Sequence, residues 1–248
     1  MLIIACYNIK GGVGKTATAV NLAYLTAGFG ARTLVWDLDP QGAASFYFRI
    51  KPRVKGGAKK LLAKKALLED FIKGTDYANL DLLPADFSYR NLDLLLEDTG
   101  KPQRRLTKLL TPLADEYDMV FLDCAPSISL VSESVFRAAD VLLIPTIPTT
   151  LSLRTLKQIQ HYCQKHALND LRLLPFFSMV DSRKQLHRSI VANPPDDDLT
   201  MLKTIIPYAS EVERMGQERR SVCDFAHQSR AAQAYRALWD ELLAQLMR

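Results

Sequence analysis

Two lysines and three glycines lie within seven residues near the start of the chain, in the segment Lys10-Gly11-Gly12-Val13-Gly14-Lys15-Thr16. This loop follows an apolar run over residues 2–7. Glycines let backbone N–H groups converge on phosphate oxygens, Lys15 can neutralise β- and γ-phosphates, and the Thr16 hydroxyl can ligate Mg²⁺. The spacing therefore predicts a nucleoside triphosphate site, with a ligand-free strand–helix turn as the alternative.

Three aspartates end two other apolar runs. Asp37 ends the run at 33–37 and Asp39 follows two residues later, while Asp123 comes directly after the run at 119–122. Because ligands bind beyond the carboxyl ends of strands in open α/β sheets, we expect these carboxylates to lie beside the glycine loop. Strand-end capping is the alternative interpretation of Asp37 and Asp39.

Apolar runs alternate with helical periodicity along the chain, which predicts an α/β fold. The glycine loop after the first apolar run makes that fold resemble the P-loop NTPase type. We expect a mostly parallel twisted sheet flanked by helices on both faces, forming one domain over 1–248. The predicted strands are 2–7, 33–37, 80–83, 118–123, 140–145, 172–178 and 202–206. The predicted helices are 15–29, 87–98, 104–116, 128–138, 151–167 and a C-terminal amphipathic helix at 229–247.

Composition agrees with one globular domain in the cytoplasm. The chain has 248 residues, of which 48% are hydrophobic, and no apolar run approaches the roughly 18 residues of a membrane span. The four cysteines form no paired motif, so we expect reduced thiols. The first predicted strand starts at residue 2, so we expect no helix-turn-helix ahead of it.

The net charge of +5 favours contact with a polyanion. Residues 51–65 carry seven Lys or Arg and no acid, within a segment over 50–66 that we expect to be mobile. A solvated face is one interpretation of such a run, and contact with DNA or an anionic partner is the other. The candidate DNA-binding residues are Lys59, Lys60, Lys64, Lys65, Arg183, Lys184, Arg188, Arg219 and Arg220.

Three segments together resemble the ParA/MinD family of deviant Walker ATPases, and its ParA branch in particular. They are 10–16, 34–42 with Asp37-Leu38-Asp39-Pro40-Gln41-Gly42, and 117–127 around Asp123-Cys124-Ala125-Pro126. The likeness continues at 138–145, 179–183 and 206–207, and it is weak across 50–78 and at the C-terminus. It agrees with the fold inferred from periodicity.

The resemblance implies a role for each matching residue. Lys15 would hold the phosphates, and Lys10 would reach the nucleotide of a second subunit. Asp39 would orient the attacking water. Thr16 would bind Mg²⁺, Asp37 would support the Mg²⁺ shell, and Asp123 would contact the metal through water. The nucleotide would contact Gly11, Gly12, Val13, Gly14, Lys15, Thr16, Ala17, Met179 and Pro207. Ala17 replaces the family's usual hydroxyl residue, which removes a hydrogen bond worth about 1 kcal/mol.

The resemblance also implies a function. A homodimer that forms with ATP and Mg²⁺ would bind DNA without sequence preference, placing it on the nucleoid. A ParB-like or other adaptor would stimulate its weak ATPase, and the cycle would position a plasmid, chromosome or protein complex. A MinD-like regulator that cycles on membranes is the alternative. We expect the 229–247 helix to dock on the sheet rather than on a membrane, because acidic residues interrupt its polar face.

Overall fold

The computed structural model of the chain describes residues 1–63, 67–194, 199 and 201–247. Within these residues, eight strands form one sheet in the order β3-β4-β2-β5-β1-β6-β7-β8. Every neighbouring pair is parallel except β3 with β4. The strands are β1 Leu2–Cys6, β2 Thr33–Asp37, β3 Lys73–Gly74, β4 Leu80–Leu83, β5 Met119–Asp123, β6 Val141–Thr146, β7 Arg172–Val180 and β8 Ile205–Pro207. The predicted α/β class is confirmed.

Helices cover both faces of this sheet. They are α1 Lys15–Gly28, α2 Ala43–Tyr47, α3 Gly57–Leu61, α4 Leu92–Glu97, α5 Arg105–Leu110, α6 Leu130–Ala138, α7 Thr150–Lys165, α8 Gln185–Ala192, α9 Ser210–Glu218, α10 Val222–Phe225 and α11 Arg230–Leu246. Alternate residues of β1 enter different cores: Ala5 packs with the side of α4 to α7, and Ile4 packs with the side of α1 and α11. This alternation explains why the central strands are apolar throughout.

Several predicted elements have different bounds in the structure. Residues 202–204 are not strand. Leu202 belongs to the apolar core, which explains the apolar signal, but pairing with β7 begins only at Ile205, opposite Phe177. The helix predicted at 104–116 is α5 followed by a 3₁₀ turn at Thr111–Asp115, whose Pro112 cannot continue an α-helix. The helix predicted at 87–98 begins as a 3₁₀ turn, Phe87–Asn91, before α4.

The segment expected to be mobile, 50–66, contains α3. Ala58 and Leu61 on this short helix are buried, and the backbone N–H of Ala58 donates to the Ser88 hydroxyl at 2.8 Å. Lys59 and Lys60 are exposed on the same helix. Lys64 and Lys65, two of the candidate DNA-binding residues, lie outside the described residues.

The C-terminal helix α11 packs against β8 and α1. Its buried side chains include Tyr235, Leu238, Trp239 and Leu242, all of which belong to the core on that side of the sheet. Among the described residues, we find no helix whose length and apolar character would let it cross a bilayer.

Candidate nucleotide site

A pocket of about 340 Å³ opens at the carboxyl edge of the central strands. It brings together most of the residues predicted to bind a nucleotide, and Asp39, which was predicted to orient the attacking water, lines it too. The nucleotide-binding residues in the pocket are Gly11, Gly12, Gly14, Lys15, Thr16, Ala17, Met179 and Pro207. The side chain of Val13, also in this loop, is fully buried, and Val13 does not line the pocket. Sequence reasoning did not find Tyr47, Ser178, Tyr208, Glu213 or Tyr235, which also line it, because these residues belong to no phosphate-binding motif.

The glycine loop depends on left-handed backbone at two positions. Gly12 has φ +69° and Gly14 has φ +95°, which residues with side chains rarely adopt. A Cβ atom on Gly14 would lie 3.0 Å from the Ser178 hydroxyl oxygen of β7, so the loop also sits close to that strand. Helix α1 begins at Lys15 with no acidic residue in its first turn, leaving its N-terminal N–H groups available to an anion.

Lys15 is a buried cation in this loop, with 7% of its surface exposed. Its ammonium donates to the Lys10 carbonyl over 3.2 Å. Burial lowers the pKa of Lys15, while the nearby Asp123 carboxyl opposes that change. A buried ammonium of this kind gains strongly from a phosphate, because the anion replaces the hydration that burial removed.

Lys10 points away from the pocket. Its ammonium donates to the Ser152 hydroxyl at 3.3 Å, in the first turn of α7, and Lys10 does not line the pocket. Its backbone N–H donates to the side chain of Asn8, whose amide in turn donates to the Pro145 carbonyl at 2.9 Å. The two loop lysines therefore diverge. Asn8 and Ser152 went unnoticed in the sequence because neither belongs to a phosphate-binding motif.

Asp37 and Asp123 are opposite each other in the register of β2 and β5, and both are fully buried. The Ser45 backbone N–H and hydroxyl each donate to one oxygen of Asp37 at 2.8 Å. Burial nevertheless raises the pKa of Asp37 to about 6, with a further contribution from the charge of Asp39.

Asp123 is less well satisfied than Asp37. Neither of its carboxylate oxygens has a hydrogen-bond partner among the described residues. Burial raises the pKa of Asp123 well above its ordinary value, and the charge of Asp37 raises it further. The Thr16 hydroxyl and the Lys15 ammonium partly offset this rise. A buried carboxylate without donors is the arrangement that a cation or its water shell would complete.

The donor set fits Mg²⁺ bound together with a phosphorylated ligand. No group of three or more His, Cys, Asp or Glu side chains within the described ranges could hold a metal by itself. Mg²⁺ usually takes one or two carboxylates and completes its shell with water and phosphate oxygens. Asp123 and the Thr16 hydroxyl match that requirement, and Asp37 lies opposite Asp123 on the neighbouring strand β2.

Asp39 is held at the mouth of the pocket by a turn. Its side chain accepts the Gln41 N–H at 2.9 Å, and its carbonyl accepts the Gly42 N–H at 2.9 Å. The carboxylate is partly exposed and lines the pocket. This position suits contact with a water molecule beside a bound phosphate.

Met179 occupies an irregularity between β7 and β8. The register shifts between Phe177 and Val180, and Met179 has φ +54°, an unusual value for a residue with a side chain. The Tyr208 N–H donates to the Val180 carbonyl at 3.0 Å just beyond this bulge. The bulge directs the backbone around Met179 and Pro207 toward the same pocket.

The candidate DNA-binding residues fall on three parts of the structure. Arg183, Lys184 and Arg188 lie together where β7 leads into α8, and Arg183 is 81% exposed although it pairs with Asp181 at 2.9 Å. That guanidinium lowers the pKa of Asp181 to about 2.

The remaining described candidates differ in whether their charged groups already contact another side chain. Arg219 stacks on the Phe46 ring at 4.5 Å, and Arg220 pairs with Glu218 at 3.4 Å. Lys59 and Lys60 are exposed on α3. The structure therefore groups the three residues at β7 and α8 and places the other four described candidates elsewhere.

A parallel sheet with a strand–glycine loop–helix unit and carboxylates at the adjoining strand ends defines a P-loop nucleotide-binding protein. The family model described as "AAA domain" matches residues 1–172. The chain is 32% identical over 248 residues to the sporulation initiation inhibitor protein Soj of Bacillus subtilis, covering 98% of each. It is 31% identical to the chromosome partitioning protein ParA of Myxococcus xanthus, covering 97% of this chain and 87% of that protein.

A solved structure of cobyrinic acid a,c-diamide synthase from Mycobacterium smegmatis, with bound ATP analog and magnesium, superposes with a TM-score of 0.83. It is 27% identical and covers 98% of this chain and 94% of that one. The chain belongs to the ParA/MinD family of P-loop ATPases, as the sequence motifs predicted.

Proposed function

We propose that this chain is a ParA-type ATPase that dimerises on ATP, binds DNA without sequence preference and positions or segregates a cargo. The observation that carries the proposal is the divergence of the two loop lysines. Lys15 is buried at the pocket, whereas the Lys10 ammonium lies on α7, outside the pocket of its own chain. A lysine so placed is available to the nucleotide of a second subunit.

ATP is the substrate that the pocket fits. The glycine loop and the N-terminus of α1 would receive the phosphates, and the backbone near Met179 and Pro207 would lie along the base. Mg²⁺, held by Thr16 and by Asp123, would neutralise charge on the phosphate oxygens. Asp39 would hold the attacking water, since it lines the pocket on a turn that fixes its position.

The dependence on two subunits follows from charge. Phosphoryl transfer is catalysed mainly by positioning and by stabilising negative charge, and a cation supplied by a partner completes the site only in the dimer. Hydrolysis by the isolated chain should be slow, on the order of the 10⁻⁴ to 10⁻² s⁻¹ of unassisted nucleotide switches. An adaptor protein of the ParB kind would then accelerate it.

DNA contact is proposed for the cluster Arg183, Lys184 and Arg188. Arg183 and Lys184 lie between β7 and α8, and Arg188 lies in the first turn of α8. All three are solvent-exposed, so phosphate groups can reach them. Binding through phosphates is insensitive to sequence and weakens steeply with salt. Location on the nucleoid is the cellular consequence.

The test uses Asp39→Ala and Lys10→Ala beside the wild type, with Lys165→Ala as the matched exposed-lysine control. With ATP and Mg²⁺, Asp39→Ala should elute as a stable dimer in size-exclusion chromatography and should retain duplex DNA in a low-salt gel shift. Lys10→Ala should still bind ATP but should neither dimerise nor respond to an activator, whereas Lys165→Ala should behave as wild type.

A monomeric Asp39→Ala variant with ATP would refute the dimer. Loss of DNA retention in every ATP-loaded sample would refute the DNA step. Sedimentation of the ATP-loaded protein with liposomes, without DNA binding, would instead favour a MinD-like membrane cycle.

A further inference from the structure

A second and larger concavity lies away from the nucleotide pocket, between α3, α4 and α5. It has a volume of about 1020 Å³ and shares no lining residue with that pocket. We call it the basic groove. Its floor and walls contain the apolar side chains Leu62, Leu67, Leu95, Leu109 and Pro112. Its cations are Lys59, Lys101, Arg105 and Lys108, against one acid, Asp98.

The cations of the basic groove are available to a ligand. Lys59, Lys101 and Lys108 are exposed and form no ion pair with any described residue. Arg105 is partly buried and donates to the carbonyls of Leu62 and Ala63 at 2.8 and 2.7 Å. Those carbonyls are neutral, and Arg105 forms no ion pair with a described residue. Its Nε atom is buried, with no acceptor in the part of the chain that the structure describes.

The positive surface extends along α5. A neighbouring depression of about 910 Å³ shares Lys101 and Lys108 with the basic groove and adds Arg104 and Arg137. Arg137 donates to the His166 carbonyl at 3.2 Å, again a neutral partner. Burial raises the pKa of Tyr162, and the hydrogen bond of its hydroxyl to Glu133, the acid of this depression, raises it further. Cations therefore outnumber acids across both concavities.

An exposed apolar side chain marks the groove as a contact surface. Leu67 is 52% exposed at its wall, although it adjoins the buried Leu68. Duplex DNA would use the cations but would leave the apolar floor hydrated, because phosphate contacts need polar and charged groups. A helix with one apolar face flanked by carboxylates matches both features, since apolar anchors fill a groove and a charged rim selects its orientation.

We propose that the basic groove is the docking site for an acidic amphipathic helix of a partner protein. The helix would insert apolar side chains against Leu67, Leu95 and Leu109 and would place carboxylates on Lys101, Arg105 and Lys108. This surface is separate from the nucleotide pocket and from the cations at β7 and α8, so the inference goes beyond the proposed function.

The probe is a fluorescein-labelled 16-residue peptide with leucines at i, i+3, i+4 and i+7 and glutamates at most other positions. A peptide of equal composition with scrambled leucines is its control. Fluorescence anisotropy should show the patterned peptide binding at least about tenfold tighter than the scrambled one. Charge reversal at Lys101→Glu with Lys108→Glu should weaken binding by tenfold or more, and the matched reversal at Lys73→Glu with Lys165→Glu should leave it within twofold.

The apolar contribution is tested separately. Leu67→Ser should weaken the patterned peptide at least threefold, whereas Phe29→Ser, which changes a side chain 74% exposed elsewhere, should have no effect. Binding of a fluorescent ATP analog by every variant confirms that each is folded. This control also separates failure of the groove from failure of the nucleotide site.

Three outcomes would overturn the proposal. The first is equal affinity for patterned and scrambled peptides, and the second is equal loss in both charge-reversal pairs. The third is a Lys101→Glu with Lys108→Glu variant that keeps peptide binding but loses retention of duplex DNA or of anionic vesicles. That third result would assign the surface to a polyanion instead.

Discussion

The two ends of β5 carry aspartates in opposite situations. Asp118, just before the strand, is exposed and receives N–H groups from the backbone and guanidinium of Arg32 at 2.7 to 3.2 Å. Asp123, at the carboxyl end, is fully buried and has no donor among the described residues. Arg32 lowers the pKa of Asp118 to about 2, whereas burial raises the pKa of Asp123 well above its ordinary value.

We interpret the difference as one between a carboxylate that the fold itself satisfies and one that a ligand would complete. Asp118 finds its donors within the fold and needs nothing further. Burial of Asp123 costs folding free energy that the Thr16 hydroxyl and the Lys15 ammonium offset only in part, and a bound cation would supply the missing interaction. The same edge of the sheet also holds Asp37 and Lys15, so three buried ionisable groups are concentrated at the candidate site.

The largest expected effect comes from Asp123→Asn. Removing the carboxylate that would serve Mg²⁺ should lower ATP hydrolysis by at least about 100-fold. Without ligands, the same variant should unfold at a higher temperature than wild type at pH 7, because a neutral amide avoids the cost of the buried carboxyl. ATPase assays and thermal unfolding measure the two results. An active or strongly destabilised Asp123→Asn variant would remove the distinction between the two ends of β5.

Asp118 should also respond to pH in the opposite direction from Asp37, which lies opposite Asp123 in the register of β2 and β5. The folded pKa of Asp37 is about 6, above its ordinary 3.8, so the stability that this group contributes is greatest below pH 3.8 and falls as pH rises to 6. The loss is on the order of 3 kcal/mol. The folded pKa of Asp118 is about 2, so its contribution is present above pH 3.8 and is lost as pH falls from about 4 to 2.

Unfolding midpoints of Asp37→Asn and Asp118→Asn, each compared with wild type over pH 2 to 8, measure these slopes. The advantage of Asp37→Asn should grow between pH 4 and 6. The deficit of Asp118→Asn should shrink below pH 4. Parallel pH profiles for the two variants would contradict the assignment of opposite pKa shifts.

The smallest effect is expected at Asp118 itself. Asp118→Asn should leave ATP hydrolysis unchanged and should lower the unfolding midpoint by no more than about 3 °C, since exposed ion pairs contribute little. The loss should diminish further in 1 M salt, where surface charges are screened. A tenfold loss of hydrolysis in this variant would show that the distant end of the strand also serves the site.

Sequence alone predicted strands β2 and β4 well, because strands buried on both faces show as continuous apolar runs in the sequence. The runs at 33–37 and 80–83 match β2 and β4, and the loop at 10–16 lies where the strand–helix pattern places it. Short elements gave no comparable signal. Gly56, just before helix α3, suggests a loop rather than a helix. The helix is stabilised by Ala58 and Leu61, which are buried in a core formed with distant parts of the chain.

The residues that line the nucleotide pocket also fall into two groups, those that the sequence predicted and those that it did not. Gly14, Lys15 and Asp39 belong to contiguous motifs and are readable from the sequence. Tyr47 and Glu213 enter the pocket from α2 and α9, which no local pattern connects with the loop. The basic groove was also missed, because Lys59 and Lys101 are far apart in the chain and meet only after folding.

The two margins of the sheet restrict how copies of this protein can associate. At one margin, β3 spans only Lys73–Gly74 and runs antiparallel to its neighbour. At the other, β8 has three residues, one of them Pro207, and α11 packs against it. Neither margin offers a long row of free N–H and C=O groups, so strand-to-strand polymerisation is disfavoured. Association of two copies would then have to use side-chain surfaces rather than strand pairing at these two margins.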